Sequence, residues 1–342
     1  MSASATARST IVVDRLSKTY HPFPGWMRLL VRTNVTRDVV ALDDVSFSVG
    51  PGEICALVGP NGAGKTTTFR ILVGLAAASS GGASVMGFDC EHQSLEVRRL
   101  VGWMPAEDRS LLMRLTAAEN LYFHGRLQGL KGRDLHSRIA DTLDLVGLGG
   151  RAESSVFALS AGMRARLQLA RALLPDPSVL ILDEPTGSVD PVAAHELLGV
   201  IMTVVEERGL AALLSSHRLE EIEALGSRVV LLDRGRVRFD GDLESLRRTW
   251  DRPRFEIGFV SPQAAREAAT RLDAAGIGEP SAIRGAAVEC LLGAGTELGG
   301  VLHSLGDALS GVTHLHELRT PLRDVLAHMY GEDRSTEEEP VA

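Results

Sequence analysis

Residues 59–66 read Gly-Pro-Asn-Gly-Ala-Gly-Lys-Thr, which fits the pattern G-x-x-x-x-G-K-[ST]. These residue types at this spacing form a cradle for a polyphosphate. Gly59, Gly62 and Gly64 let backbone N–H groups close on phosphate oxygens without a Cβ in the way, while Pro60, Asn61 and Ala63 complete the loop. Lys65 is placed to reach the β- and γ-phosphates, and Thr66, followed by Thr67, to ligate Mg²⁺. A second constellation is Val179-Leu180-Ile181-Leu182-Asp183-Glu184, an apolar run that ends in two carboxylates. On a parallel sheet such a run sets both carboxylates at the carboxyl edge, where ligands bind. Asp183 suits Mg²⁺, held through water, and Glu184 suits the orientation and polarisation of an attacking water. The chemistry these parts could perform is phosphoryl transfer. Taken alone, the second constellation is also an ordinary polar cap on a strand.

The elements around these residues are the ones such a site needs. Ile54–Val58 is a short apolar run suited to a buried strand, and the residues from Thr67 to Leu75 can form a helix whose positive N-terminal end meets the anion. Residues 40–58 read as two strands punctuated by Pro51-Gly52. Ile11-Val12-Val13 reads as one short strand, followed by a turn to Tyr20 and an irregular insert over 21–39. From about Met113 to Leu173 the pattern is helical, with caps at Thr116 (Glu119 in the capping-box position) and Ser160. The apolar runs 179–182, 211–214 and 229–232 are separated by helical stretches. This part therefore reads as α/β with a largely parallel sheet. Composition shifts near Trp250-Asp251-Arg252-Pro253. Beyond it the pattern predicts a small α+β appendage over 251–331: a strand from Phe255, a helix from Pro262, a hairpin at Gly285, a helix over 296–309, a strand over 312–318 and a last helix from Pro321. The lead 1–10 and the acidic tail 332–342 read as disordered.

Composition narrows the function classes. The chain has 342 residues, 44% of them hydrophobic, enough for more than one core, and a formal net charge of −8. No global basic field points to nucleic acid, so none is expected as a partner. Cys55, Cys90 and Cys290 lie far apart with no C-x-x-C pair, which argues against a zinc site or a disulfide framework and for a reducing compartment. No stretch approaches the apolar length needed to span a bilayer. The expectation is a cytoplasmic protein that meets a membrane, if at all, through a partner.

A third element is Leu159-Ser160-Ala161-Gly162-Met163, leading into Arg164–Leu173. With the two constellations above, it makes residues 10 to 245 resemble one complete ATP-binding cassette of the ABC family. The resemblance implies a P-loop α/β nucleotide-binding domain over 11–245 with an α-helical subdomain at about 103–173, and the terminal α+β domain beyond it. It implies that Ser160 and Gly162 belong to a signature that grips a γ-phosphate, although Ala161 and Met163 depart from the family's usual Leu-Ser-Gly-Gly-Gln. On its own Ser160 is simply a good helix N-cap. Ser188-Val189-Asp190-Pro191 is similar to the family's D-loop, and Ser215-Ser216-His217 to its switch histidine, which would hydrogen-bond the γ-phosphate. Tyr20 sits where the family stacks an aromatic on adenine. The family usually has a glutamine where this chain has Ala106, leaving Glu107 or Asp108 as substitutes or as solvated charge. Leu322-Arg323-Asp324-Val325-Leu326 and the 107–121 stretch resemble exporters of the drug-resistance and ABC-2 type. The resemblance thus implies an ATP-hydrolysing subunit using ATP and Mg²⁺. It would work as a head-to-tail homodimer through the ATP sites and drive an integral membrane permease from the cytoplasmic face of the membrane. The alternative is a soluble cassette ATPase acting on a ribosomal or nucleic-acid partner. Insert 21–39, with Trp26, Arg28 and Arg32, could lie against lipid or permease, or be a solvated loop.

Overall fold

The computed structural model describes residues 10–22, 37–106, 110–216, 218–226, 228–248, 254–276, 282–292, 298–318, 322, 324–326 and 329. The lead before Thr10, most of insert 21–39, Glu107 and Asp108, His217, much of the helix from Pro321, and the tail 332–342 lie outside them. Contacts divide the chain after Leu243 into two units.

Among the described residues, the first unit carries ten strands: β1 (Ile11–Tyr20), β2 (Val39–Val49), β3 (Ile54–Val58), β4 (Ser80–Val85), β5 (Phe88–Asp89), β6 (Val101–Met104), β7 (Val179–Asp183), β8 (Ala211–Ser215), β9 (Arg228–Asp233) and β10 (Arg236–Gly241). They form a six-stranded sheet in the order β10-β9-β3-β8-β7-β6 and an antiparallel sheet in the order β2-β1-β4-β5. In the larger sheet only β10 runs antiparallel, to β9; β9, β3, β8, β7 and β6 are mutually parallel. β7 and β8 are buried along their whole length, as strands covered on both faces must be. This is why they read as unbroken apolar runs. The chain leaves β3 for the sheet edge at β6, returns through β7 and β8, and then crosses to the other side of β3 at β9. The strand order therefore reverses at β3, and the loop leaving β3 opens into the crevice that such a reversal makes.

One core joins the two sheets. Ile11, Leu16, Val45 and Phe47 from the antiparallel sheet pack with Phe69 and Leu72 of the helix Lys65–Leu72 and with Leu57, Ile181 and Leu213 of the parallel sheet. The sequence pattern predicts only a short strand at 11–13. The structure instead runs β1 through to Tyr20, across shifts in its pairing with β2 and β4. Arg15 takes a left-handed φ of 46°, its N–H donates to Ser46 Oγ, and Leu16 returns to full burial. Across from it, a Cβ on Gly81 would lie 2.0 Å from the Arg15 carbonyl oxygen, so only glycine admits the bulge. The glycine-rich β4 carries no apolar run, and for that reason the antiparallel sheet was not legible in the pattern.

Between β6 and β7 lie the helices Ala117–Leu127, Gly132–Leu145 and Ala161–Leu173. The first opens on the predicted capping box: Thr116 Oγ1 accepts from Glu119 N–H, and Glu119 Oε2 accepts from Thr116 N–H. Asn120, fully buried, accepts from Leu112 N–H and donates to the Leu112 and Thr116 carbonyls, which fixes the segment leading into the helix.

The second unit begins with the short helix residues after Leu243 and then follows a β-α-β-β-α-β order. Its strands are β11 (Arg254–Phe259), β12 (Ala282–Arg284), β13 (Ala287–Leu291) and β14 (Val312–Leu318), with the helices Pro262–Ala274 and Leu298–Leu305 between them. The sheet order is β12-β13-β11-β14, antiparallel throughout. This is the split βαβ arrangement, with both helices feeding one core. Phe255, Ile257 and Phe259 alternate inward against Ala265, Ala269, Leu272, Val288 and Val301. Ser261 caps the first helix by accepting from Ala264 N–H, and Gly285, at φ 65°, makes the predicted hairpin.

Candidate active site at the carboxyl edge of the parallel sheet

The phosphate loop leaves β3 between β8 and β9, and at Gly59 and Gly64 its path leaves no room for a Cβ. A Cβ on Gly59 would lie 2.3 Å from the Leu232 carbonyl oxygen. Gly64 has φ 110°, and a Cβ there would lie 2.6 Å from the Ala41 carbonyl oxygen. Pro60, Asn61 and Gly62 are exposed at the loop tip, and Ala63 is buried beneath them with its N–H donating to the Pro60 carbonyl. The helix opens at Lys65, so its first N–H groups and those of the loop lie together. Lys65 is only 7% exposed, and its Nζ donates to the Gly59 carbonyl at 2.7 Å and the Pro60 carbonyl at 3.1 Å. Burial lowers the Lys65 pKa, while the charges of Glu184 and Asp183 act in the opposite direction.

The second constellation meets the loop directly. Thr66 Oγ1 donates to Asp183 Oδ2 at 2.9 Å. Asp183, 2% exposed, accepts on Oδ1 from the Ser215 hydroxyl at 2.6 Å, and Ser215 Oγ in turn accepts from Glu184 N–H at 2.9 Å. Glu184 has φ 48°, the left-handed region, which swings its side chain out of the strand alternation. The turn behind it is closed by Gly187 N–H donating to the Glu184 carbonyl at 3.0 Å. Thr66, Asp183, Ser215 and Glu184 thus form one hydrogen-bonded chain beside Lys65.

Ser215 is the member that sequence reasoning missed as a site residue. The signal was present: β7 and β8 pair in parallel with Asp183 opposite Ser215, so the two apolar runs end level with each other. Removing the hydroxyl would leave a buried carboxylate oxygen and the Glu184 N–H without this partner. Ser215→Ala should therefore cost about 2 kcal/mol of stability and lower turnover more than nucleotide affinity. Equilibrium unfolding and steady-state kinetics on the same variant check both.

The remaining sequence-predicted residues are placed as follows. Ser160 caps the helix Ala161–Leu173 by accepting from Met163 N–H at 3.2 Å. Gly162 is buried, and a Cβ there would lie 2.7 Å from Ala193 Cβ, so it also lets this helix pack on the helix Pro191–Arg208. Asp190 caps that second helix, accepting from Val192 and Ala193 N–H, with Pro191 at its first position. Among the described residues, no hydrogen bond or ion pair joins Ser160, Gly162 or Asp190 to the chain's own phosphate loop. Thr67 is half-buried in the first turn after the loop. Tyr20 ends β1, with Lys18 Nζ 5.1 Å from its ring centroid. His217 lies outside the described residues, as do Glu107 and Asp108. Ala106 lines a cavity of about 290 Å³ shared with Arg164, Gln168, Glu184 and Ser188. Gln168 was not singled out from the sequence, yet it lines the same cavity as Ala106.

Asp183 and Thr66 supply hard oxygen donors at hydrogen-bonding distance, the donor type that Mg²⁺ takes. Among the described residues, no three His, Cys, Asp or Glu side chains cluster as a metal cage. A cation bound by one or two protein oxygens and the phosphates of a nucleotide fits this donor set.

Comparisons with known proteins bear on the family and the fold. The family model described as ABC transporter matches residues 42–187. Over 208 residues the chain is 37% identical to ABC transporter ATP-binding protein NatA of Bacillus subtilis (strain 168), a match covering 61% of this chain and 84% of the relative. Over 248 residues it is 37% identical to Nod factor export ATP-binding protein I of Neorhizobium galegae, covering 71% of each. Among solved structures it resembles a bacterial ABC transporter cassette determined as a dimer. That likeness has a TM-score of 0.58 at 23% identity and covers 68% of this chain and 98% of the cassette, which bears on the fold alone.

Proposed function

The chain belongs to the ABC transporter family as an ATP-binding, ATP-hydrolysing subunit, and from that premise we propose that it powers export through a separate membrane permease by ATP-driven closure of a homodimer. The observation that carries the catalytic part is the hydrogen-bonded chain Thr66–Asp183–Ser215–Glu184 beside Lys65. In this reading the loop N–H groups of residues 59–64 and Lys65 Nζ hold the β- and γ-phosphates, with Lys65 released from the Gly59 and Pro60 carbonyls by a stronger, charge-assisted partner. Thr66 and Asp183 would hold Mg²⁺, which would neutralise charge on the phosphates. Glu184, fixed through its backbone by Ser215, accepts a proton from the attacking water. Tyr20 stacks on the adenine, and His217 bonds the γ-phosphate.

Ser160, Gly162 and Asp190 act on the nucleotide of a second copy. Their own-chain contacts are caps and helix packing, and none reaches their own phosphate loop among the described residues. Two copies head to tail would bury two ATPs at the seam, closing on binding and opening on hydrolysis. The ATPase spans 11–245 in this reading, and 251–331 is an accessory domain that supports the dimer or regulates it.

Export rather than import is supported by the name of one relative, Nod factor export ATP-binding protein I. A permease partner is supported by the relatives' export role and by one feature of the first unit, a groove with an exposed apolar rim. No helix among the described residues is long and apolar enough to cross a membrane. A groove of about 270 Å³ lies where Leu75 and Trp103 meet His124 and Gln128, rimmed by Arg98 and Arg171, and Leu75 beside it is 59% exposed. A peripheral position on the cytoplasmic face of the membrane follows from that partner. The net charge of −8 gives no support to a nucleic-acid partner.

The test is to capture the tagged chain from detergent-solubilised native membranes and identify what accompanies it. A multi-span membrane protein in near-equal amount is the expected result. Ribosomal or DNA-associated proteins with nothing from the membrane would overturn the transport reading and leave the ATPase chemistry standing.

A further inference from the structure

Beside the catalytic chain, a second buried polar group joins the loops that follow β7 and β8. Glu221, in the helix Leu219–Leu225, is 7% exposed. Its Oε2 accepts from the Thr186 hydroxyl at 2.7 Å and from the Ser216 hydroxyl at 2.7 Å. Its Oε1 lies 3.3 Å from Arg218 Nη1, and the other arm of that guanidinium, Nη2, donates to the Val189 carbonyl at 3.1 Å. Ser216 Oγ also accepts from Arg218 N–H at 3.0 Å. The result is a closed circuit. Thr186 and Val189 belong to the loop that starts with Glu184 and ends at Asp190; Ser216 and Arg218 flank position 217 in the chain. Among the described residues, backbone–backbone hydrogen bonds stay within each loop: Gly187 to Glu184, Val189 to Thr186, and Glu221 to Arg218. The side chains therefore carry the connection.

A carboxylate taken out of water is costly unless every lone pair finds a donor, and here two hydroxyls and a guanidinium supply them. A site that only needed packing would be served by an apolar side chain. We infer that Glu221 is a positioning residue for the ATPase reaction: it clamps the loop of Glu184 and Asp190 to the loop on either side of position 217, so that the two shift as one body. This rests on the reading of Glu184 as base and of Asp190 as part of the dimer seam. Its consequence is that closure felt at Asp190 is transmitted to the hydrolytic side of the site through Thr186, Glu221 and Arg218.

Thr186→Val keeps the shape and removes one donor to Glu221, and Thr186→Ser restores a hydroxyl. The clamp predicts that Thr186→Val lowers kcat by roughly tenfold with the KM for ATP changed by less than about twofold. Thr186→Ser should recover most of the loss. Glu221→Gln should show the same split. If the two residues act through one connection, the double variant Thr186→Val/Glu221→Gln should be no slower than the worse single variant. A wild-type kcat in Thr186→Val, with only a lowered melting temperature, would overturn the proposal and leave a structural brace. Fully additive losses in the double variant would also overturn it. Lys65→Ala, assayed alongside, separates the two levels: turnover surviving there sinks the ATPase assignment itself, whereas a dead Lys65→Ala beside a normal Thr186→Val sinks the clamp alone.

Discussion

Glu184→Gln is expected to bind ATP and fail to turn it over, with kcat reduced by about 100-fold or more, the usual contribution of a general base. The substitution is nearly isosteric, and the feature that aims the side chain is in the backbone. Glu184 sits at φ 48° with its N–H on Ser215 Oγ, and its carbonyl accepts from Gly187 N–H. These backbone contacts are unchanged by the substitution, and the amide matches the carboxylate in shape. What is lost is a group able to take a proton from water. What is also lost is a negative charge near Lys65, which acts to raise that lysine's pKa against the lowering effect of burial. If binding drives dimer closure and hydrolysis drives opening, the variant should accumulate as an ATP-loaded dimer. Size-exclusion chromatography with and without ATP reads this state, and single-turnover kinetics reads the chemical step. Turnover near wild type would show that the base is elsewhere, and a variant that stays monomeric with saturating ATP would sink the closure model.

The site was legible in the sequence where one segment holds the whole device, and less legible where the fold assembles it. Gly59 to Thr66 is a single strand-loop-helix segment, so spacing alone exposes its chemistry. Asp183 and Glu184 were legible because a strand buried on both faces leaves an abrupt polar end. Ser215 was not, because its role comes from pairing level with Asp183 across β7 and β8, and register between distant runs is not written in either run. The same holds for Thr186 and Glu221, whose meeting depends on the loop after β7 lying against the helix that follows β8. The fold shows the same division. The parallel strands are apolar runs and the terminal unit alternates with period two, and both were readable. β4 begins Ser-Gly-Gly and β1 is broken by a bulge, so the sheet they form had no period to detect. Ser160, Gly162 and Asp190 are the ambiguous class. Their caps and close packing are sufficient reason for those residue types, and a role toward a second copy leaves no further mark within one chain.

Lys65→Ala should abolish nucleotide-dependent behaviour while leaving the fold in place, and the physical chemistry of the buried lysine explains why both can hold. Lys65 Nζ is enclosed by the loop and donates to two carbonyls, contacts of modest net value that alanine gives up. Against that loss stands the desolvation that lowers its pKa. A lysine whose folded pKa lies below its unfolded value binds fewer protons folded than unfolded, so its contribution to stability falls as pH drops through the folded pKa and is fully present only above the ordinary lysine pKa. At neutral pH the charged side chain is therefore a burden to the nucleotide-free protein, and removing it offsets the lost hydrogen bonds. The nucleotide-free variant should melt within a few degrees of wild type, with a change of no more than about 1 kcal/mol. The nucleotide-bound state is different. A ligand at one hundred times its Kd stabilises the folded protein by about 2.7 kcal/mol, and wild type with Mg·ATP should show the corresponding rise in melting temperature. In Lys65→Ala the phosphates lose their charge-assisted donor and the rise should vanish, together with turnover. A thermal shift and a kcat equal to wild type would sink the phosphate-loop assignment outright. A variant that keeps the shift and loses only turnover would move Lys65 from binding to transition-state stabilisation, which still places it on the transferred phosphoryl group.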